Sequence, residues 1–462
     1  MGKRGTPLSL IEIPEELQIE IFLKLPVKSL LSCKCVCKHF HSVIENPNFV
    51  RTHLTTINNN HSDSQSLVLL HYGYQSYTHR FAQLEHYLLS IDINNTKEVI
   101  SYSPLSPPIP LIKESYRTFV VGSCNGLICV AVWFSRNDKY CNQNTPDFSL
   151  LLWNPVIRQC RYLPKHQSIC RPEVFEFGFI PETNDYVVVK VGSPGFDIEV
   201  YKMSTDSWTT IDCNLFNGSR NIPTVFRVQS PVFLNGSFHW AVKKSKPNSY
   251  NDTTCNYIVY YKLKDEEVGV MNVFDDDRAI LDVVVDEWRF STRYKLSVMD
   301  EKLAMIFWNG EQGNIFEIWV MNDYGVGNDW SRRFQISETF SDYIFPLGFW
   351  TKGLMLIDKT YTSRERLQKS EAFFYDLETS SLKKIPFMGT TSCLNGFSSF
   401  VETLVPVRSL RDALPPLIPA SMQTPTSFEA LPTWFIRSNL VFFGLHQVLL
   451  SSELDQTASS KL

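Results

Sequence analysis

The stretch Ile13-Pro14-Glu15-Glu16-Leu17-Gln18-Ile19-Glu20-Ile21-Phe22-Leu23-Lys24-Leu25-Pro26 decides how the chain begins. Its first proline stands where a helix can start, and the acidic pair after it suits the positive end of a helix dipole. Leu17, Ile21 and Leu25 recur at i+4 and so share one face. The second proline ends the helix. Residues 29–36 then read as a second short apolar helix and residues 38–44 as a third, stopped near Asn46-Pro47. Three helices this short cannot cover their own apolar faces, so a partner is expected to bury part of that surface.

Outward from this stretch the period changes. Almost everything between residues 66 and 406 alternates as strands do. A weak internal repeat runs through it at a spacing of roughly 50 to 60 residues. Its copies are Leu88-Leu89-Ser90-Ile91-Asp92, Leu151-Leu152-Trp153-Asn154-Pro155, Ile198-Glu199-Val200-Tyr201, Val259-Tyr260-Tyr261, Glu317-Ile318-Trp319-Val320-Met321 and Phe373-Phe374-Tyr375-Asp376-Leu377. Tight turns precede five of them: Cys124-Asn125-Gly126-Leu127, Pro181-Glu182-Thr183-Asn184-Asp185, Leu234-Asn235-Gly236-Ser237, Met299-Asp300-Glu301-Lys302 and Thr351-Lys352-Gly353. Asn-Gly at two of these is a strong hairpin signal. One hairpin plus one strand-turn-strand per repeat gives about four strands, the content of a propeller blade. The reading is therefore a small all-α domain of three helices followed by an all-β propeller of roughly six blades.

The domains expected are a flexible N-terminus (1–11), the helical domain (12–56), the propeller (66–407) and a tail (408–462), the two folded regions having separate cores. Closure of the ring is expected from Phe400-Val401-Glu402-Thr403-Leu404-Val405, paired with strands near Leu67 to Leu70. In the tail, Leu414-Pro415-Pro416-Leu417-Ile418-Pro419 reads as a linker. Residues 434–450 are apolar but hold Arg437, Asn439, His446 and Gln447, which argues against a membrane span.

At 462 residues and 44% hydrophobic, the chain can bury a large core. Its formal charge of −4 is spread without a basic run, so nucleic acid is not an expected partner. Eleven cysteines, odd in number and in no paired spacing, fit a reducing compartment, and no signal-peptide core opens the chain. The expected location is intracellular, in cytoplasm or nucleus. The five Asn-x-Ser/Thr triplets, at Asn60, Asn94, Asn217, Asn235 and Asn251, read as turns.

Ile13-Pro14, Leu17, Glu20-Ile21, Leu25-Pro26-Val27-Lys28-Ser29-Leu30-Leu31, Lys34-Cys35-Val36-Cys37-Lys38 and Pro47-Asn48-Phe49 together resemble an F-box. In that family the Leu-Pro elements and apolar helix faces dock on a Skp-type adaptor. The resemblance implies that Pro14, Leu17, Ile21, Leu25, Pro26, Leu30 and Val36 form that contact here. The family usually has Trp two residues after Cys37-Lys38, where this chain has Phe40. The propeller region resembles the plant F-box-associated domain, a kelch-like family, in Gly122-Ser123-Cys124-Asn125-Gly126-Leu127, Leu152-Trp153-Asn154-Pro155, Phe177-Gly178-Phe179 and the run from Val232 through His239-Trp240, which implies a kelch-like propeller. Two further runs, Val200-Tyr201-Lys202-Met203 and Ile318-Trp319-Val320-Met321, are similar to the S-locus F-box proteins of pollen self-incompatibility, a similarity that many related receptors share. What the resemblance implies is a non-catalytic substrate receptor of a Skp–cullin–F-box ubiquitin ligase. The adaptor would lead to cullin and RING subunits, and the propeller would hold a target protein for degradation.

Other chemistry finds little footing. Cys33, Cys35, Cys37, His39 and His41 are dense, but no second ligand pair follows, so no zinc is expected. Gly325-Val326-Gly327 lacks the third glycine of a dinucleotide loop, and Asp275-Asp276-Asp277 reads as a solvated turn. His239 reads as a packed strand residue. No cofactor or catalytic residue is expected. The alternative is a propeller enzyme, or a non-ligase scaffold, with a helical cap. It would need titratable groups converging in the central channel.

Overall fold

The structure, a computed structural model, describes residues 13–60, 65–74, 84–92, 99–105, 117–133, 148–166, 171–193, 197–211, 226–244, 257–273, 292–309, 315–325, 329–337, 343–351, 353–362, 368–385 and 392–407. Residues 1–413 form one compact unit, and a second, 414–462, lies wholly outside the described residues. The expectations for residues 1–11, Asp275-Asp276-Asp277, Gly327 and the tail after residue 407 fall outside them too.

Four helices open the chain: α1 (Glu15–Leu23), α2 (Val27–Lys34), α3 (Lys38–Glu45) and α4 (Pro47–Asn60). The fourth is a correction to the three expected. Asn46-Pro47 ends α3 but also begins α4, because proline at the first helical position loses no intrahelical hydrogen bond. The Asn46 side chain accepts from Asn48 N at 2.9 Å. Pro14 and Pro26 stand just before α1 and α2, their carbonyls taking the first helical amides.

The strands are β1 (Gln65–Tyr74), β2 (Leu84–Asp92), β3 (Val99–Leu105), β4 (Arg117–Cys124), β5 (Leu127–Trp133), β6 (Phe148–Asn154), β7 (Gln159–Tyr162), β8 (Arg171–Ile180), β9 (Asp185–Ser193), β10 (Asp197–Lys202), β11 (Ser207–Ile211) and β12 (Phe226–Leu234). There follow β13 (Ser237–Lys244), β14 (Tyr257–Lys262), β15 (Glu267–Asn272), β16 (Thr292–Met299), β17 (Lys302–Asn309), β18 (Ile315–Met321), β19 (Trp330–Ser337), β20 (Tyr343–Thr351), β21 (Leu354–Thr362), β22 (Gln368–Asp376), β23 (Ser381–Lys384) and β24 (Ser392–Phe400). They form six antiparallel four-stranded sheets, the blades of a propeller. Blades 1 to 5 take four consecutive strands each, from β4 to β23. The six repeat segments of the sequence are the third strands of the six blades.

The first strands of the blades touch in a ring, β4 to β8, β12, β16, β20, β24 and back to β4. Blade 6 has the order β24-β1-β2-β3, so the C-terminal strand completes a sheet begun at the N-terminus and leaves no open edge. Leu67 pairs with Phe400 and Leu70 with Phe397, on the partner segment expected. The closing strand itself ends where the apolar run was expected to begin, and residues 401–407 are not a strand. β24 reads Ser-Cys-Leu-Asn-Gly-Phe-Ser-Ser-Phe. It is too polar to stand out in a search for apolar segments.

Antiparallel order places the first and third connections of blades 1 to 5 at one end, the tight-turn end, and the second connections and those between blades at the other. Asn125 and Gly126, like Asn235 and Gly236, have positive φ, which the hairpin twist requires. Asn235 is thus in a turn as expected, whereas Asn60 ends α4; Asn94, Asn217 and Asn251 lie outside the described residues. Among the described residues no helix is long and apolar enough to cross a membrane.

Candidate functional site

The helical domain is built around α1, whose inward face is not the one the i+4 leucines suggest. Gln18 and Phe22 turn inward. Phe22 meets Phe40 edge-on at 5.0 Å, so the phenyl ring that stands in place of the family's tryptophan is a core residue at 4% exposure. Gln18 is satisfied at both ends of its amide: Nε2 donates to Ile13 O at 2.6 Å, and Oε1 lies 3.1 Å from His39 Nε2. His53 of α4, buried and stacked on Phe49, hydrogen-bonds to Leu25 O at 3.0 Å. Burial holds its pKa below the usual value, keeping a neutral ring in this apolar setting. The core is completed by Val27, Leu30, Val43, Ile44 and, from the far end of the sequence, Leu404, with Val156 and Ile157 packed against it. The helical domain and the propeller therefore do not have separate cores, contrary to the sequence expectation.

With that face inward, Leu17 and Ile21 face out at 48% and 39% exposure, and Val36, between α2 and α3, at 64%. These are half of the large hydrophobic side chains exposed among the described residues, gathered within one short region. Single exposed leucines need no explanation; this concentration does. Pro14 and Pro26 are exposed and Leu25 is half-buried. Leu30 is fully enclosed and offers no surface, so of the seven residues named from the sequence it acts through packing alone. The interior glutamine at position 18 gave the sequence reading no warning, since a polar residue between apolar ones normally marks the solvent side.

The cysteines and histidines of this region have other work. Cys37 Sγ caps α3, accepting from Phe40 N at 3.5 Å, and Cys35 Sγ donates toward Leu31 O at 3.6 Å. His41 pairs with Glu45 at 3.5 Å. No group of three or more potential metal ligands occurs among the described residues.

In the propeller, the perturbed groups are spread over different blades. His239 of β13 is fully buried, 2.6 Å from Tyr324 Oη, and burial lowers its pKa to about 4. Burial pushes the Glu176 carboxyl of β8 well above the usual carboxylate range, and burial lowers Lys295 of β16 to about 8. Among the described residues, none of these three is hydrogen-bonded to another.

A helical domain with an apolar outer surface, set on the tight-turn end of a six-bladed ring, defines a two-part architecture of helical module and propeller. The F-box domain matches residues 10–52, and the F-box associated beta propeller domain matches residues 80–407. The chain belongs to this F-box family, and its relatives place it among plant F-box proteins. It is 24% identical to the F-box protein CPR1 of Arabidopsis thaliana, over 84% of this chain and 86% of that protein. An F-box/kelch-repeat protein of the same plant is also 24% identical, over 75% and 84% of the two chains. The F-box protein DOR of Arabidopsis thaliana is 22% identical over 82% and 88%.

Proposed function

We propose that this chain is the substrate-recognition subunit of a Skp–cullin–F-box ubiquitin ligase, acting inside the cell without catalytic residues of its own. The observation that carries the reading is the outward set of Leu17, Ile21 and Val36 over a core closed by Phe22, Leu30 and Phe40. Pro14, Pro26 and the exposed part of Leu25 extend the surface offered to the adaptor, and Leu30 keeps it in shape. Cullin and RING subunits would follow through the adaptor. The chain's contribution to the chemistry is to hold target lysines near a charged conjugating enzyme, which raises their effective concentration.

The target is assigned to the propeller end opposite the tight turns. The helical domain occupies the tight-turn end, where α4 meets the β4–β5 turn through Asn58 and Asn125. From the opposite end depart the longer stretches of sequence, such as those joining β5 to β6 and β15 to β16. Long connections on a rigid ring are where recognition specificity usually resides.

The test is titration of a purified Skp-type adaptor against the full chain and its L17D, I21D and V36D variants. Each aspartate would bury an unpaired charge at the contact, so affinity should fall by about a hundredfold or more while the melting temperature holds. Leu30→Ala should instead lower the melting temperature. Undiminished binding by all three aspartate variants, or no binding by the parent chain, would overturn the assignment.

A further inference from the structure

The tight-turn end of blade 1 holds more structure than ring closure requires. After β24 the chain continues through residues 401–407 without forming a strand, yet Thr403, Leu404, Val405 and Val407 are all buried. Asn154, at the end of β6 and itself fully buried, serves two purposes. Its Oδ1 accepts from Val156 N at 3.0 Å and Ile157 N at 3.4 Å, shaping the β6–β7 turn. Its Nδ2 donates to Thr403 O at 3.1 Å and Val405 O at 2.8 Å. Carbonyls that would lie unpaired in an apolar setting are thus satisfied by one side chain from more than half the sequence away.

The residues around this clamp face alternate ways. Leu404 enters the helical core beside Val156 and Ile157, while Val405 and Val407 enter the core between blades 1 and 2, which also takes in Leu54 of α4. Val407 N donates to Gln159 Oε1 at 3.3 Å. Gly126 has φ +78°, and a Cβ there would come within 2.3 Å of both Val401 O and Thr403 Cγ2, so the turn must stay bare for the segment to pass. At the rim, Lys28 pairs with Glu402 at 3.0 Å; Lys28 is 79% exposed, and such a pair adds little.

We propose that residues 401–407 form a strap that locks the helical domain onto the propeller in one orientation when the ring closes, with Asn154 as its positioning residue. The strap leaves the closing strand directly, so it is in place only when β24 is in its sheet. A chain whose ring has not closed therefore holds its helical domain without Leu404 in the core and without the Asn154 clamp. Ring closure sets the direction in which the outer surface of α1 points relative to the far end of the propeller. The inference rests on these contacts alone and holds whichever partner docks on Leu17 and Ile21.

Hydrogen exchange of the full chain, read by mass spectrometry in the parent, Asn154→Asp and Leu404→Ala proteins, tests it without any partner present. Asn154→Asp keeps the oxygen that accepts from Val156 and Ile157 but turns a carboxylate on the two strap carbonyls. Leu404→Ala is the milder variant and leaves the clamp intact. In both, the amides of α2, α3 and α4 should exchange about ten- to a hundredfold faster. Those of β13, β14, β17 and β18, in blades 3 and 4, should keep their parental rates. Unchanged exchange in the helices of both variants would overturn the proposal. So would equal acceleration in blades 3 and 4, since that would mean ordinary loss of global stability.

Discussion

Replacing Lys190 by methionine should destabilise the propeller more than loss of a surface charge would, and the reason lies in the register of blade 2. Lys190 of β9 faces Glu199 of β10 directly across the sheet, and Nζ lies 2.6 Å from Oε2 with both side chains at 1% exposure. His166 Nδ1 stands 3.2 Å from Nζ, its ring stacked on Phe148 at 4.6 Å. Methionine matches the length of the lysine stem, so packing changes little, but Glu199 loses its cation in a setting from which water is excluded. Breaking a buried pair in this way costs about 3–5 kcal/mol. Unfolding entropy of about 2.1 cal/mol/K per residue over the roughly 275 described residues gives about 0.6 kcal/mol/K. The expected fall in melting temperature is therefore about 5–9 °C. The assay is a double-mutant cycle of K190M, E199M and the pair, followed by thermal and guanidinium unfolding. The double variant should be more stable than either single, because it removes both charges of the 2.6 Å pair rather than one. A K190M protein melting within about 1 °C of the parent, or a double variant whose loss equals the sum of the singles, would refute the reasoning.

Two further outcomes follow from the fold. His239 titrates near 6.5 in the unfolded chain but only at about 4 when folded. Its contribution is thus complete above pH 6.5 and is lost as the pH falls toward 4, at up to about 1.4 kcal/mol per pH unit. Subtracting the stability–pH curve of H239Q from that of the parent isolates the slope, and parallel curves would show that the ring is not held neutral. A chain ending at residue 407 should stay soluble, whereas one ending at residue 391 lacks β24 and bares the edge of β1, so light scattering should show aggregation. Equal solubility of the two would refute closure by β24.

Local physical chemistry made much of this protein legible from its sequence. Prolines 14 and 26 punctuate the first helices because a fixed φ and a missing N–H act within one turn of chain. Asn125-Gly126 and Asn235-Gly236 announce hairpins because left-handed backbone is cheap for these residues. Alternation and the repeat spacing pointed to about six blades, since five of them are local units of four consecutive strands. Of the seven residues that the resemblance names, the fold leaves Leu17, Ile21 and Val36 bare and encloses Leu30. Tertiary structure decided the rest. Which side of α1 is inside depends on Gln18 finding both Ile13 and His39, and the start of α4 at Pro47 was masked by its equal reading as a stop. The ion pair of Lys190 and Glu199 exists only once β9 and β10 are in register. The closing strand could not be told from the strap after it, because apolar side chains mark burial but not what covers them. Leu404 packs on helices and Val405 on blades, while Asn154 holds the carbonyls of Thr403 and Val405 from about 250 residues away, a separation over which no sequence period carries information.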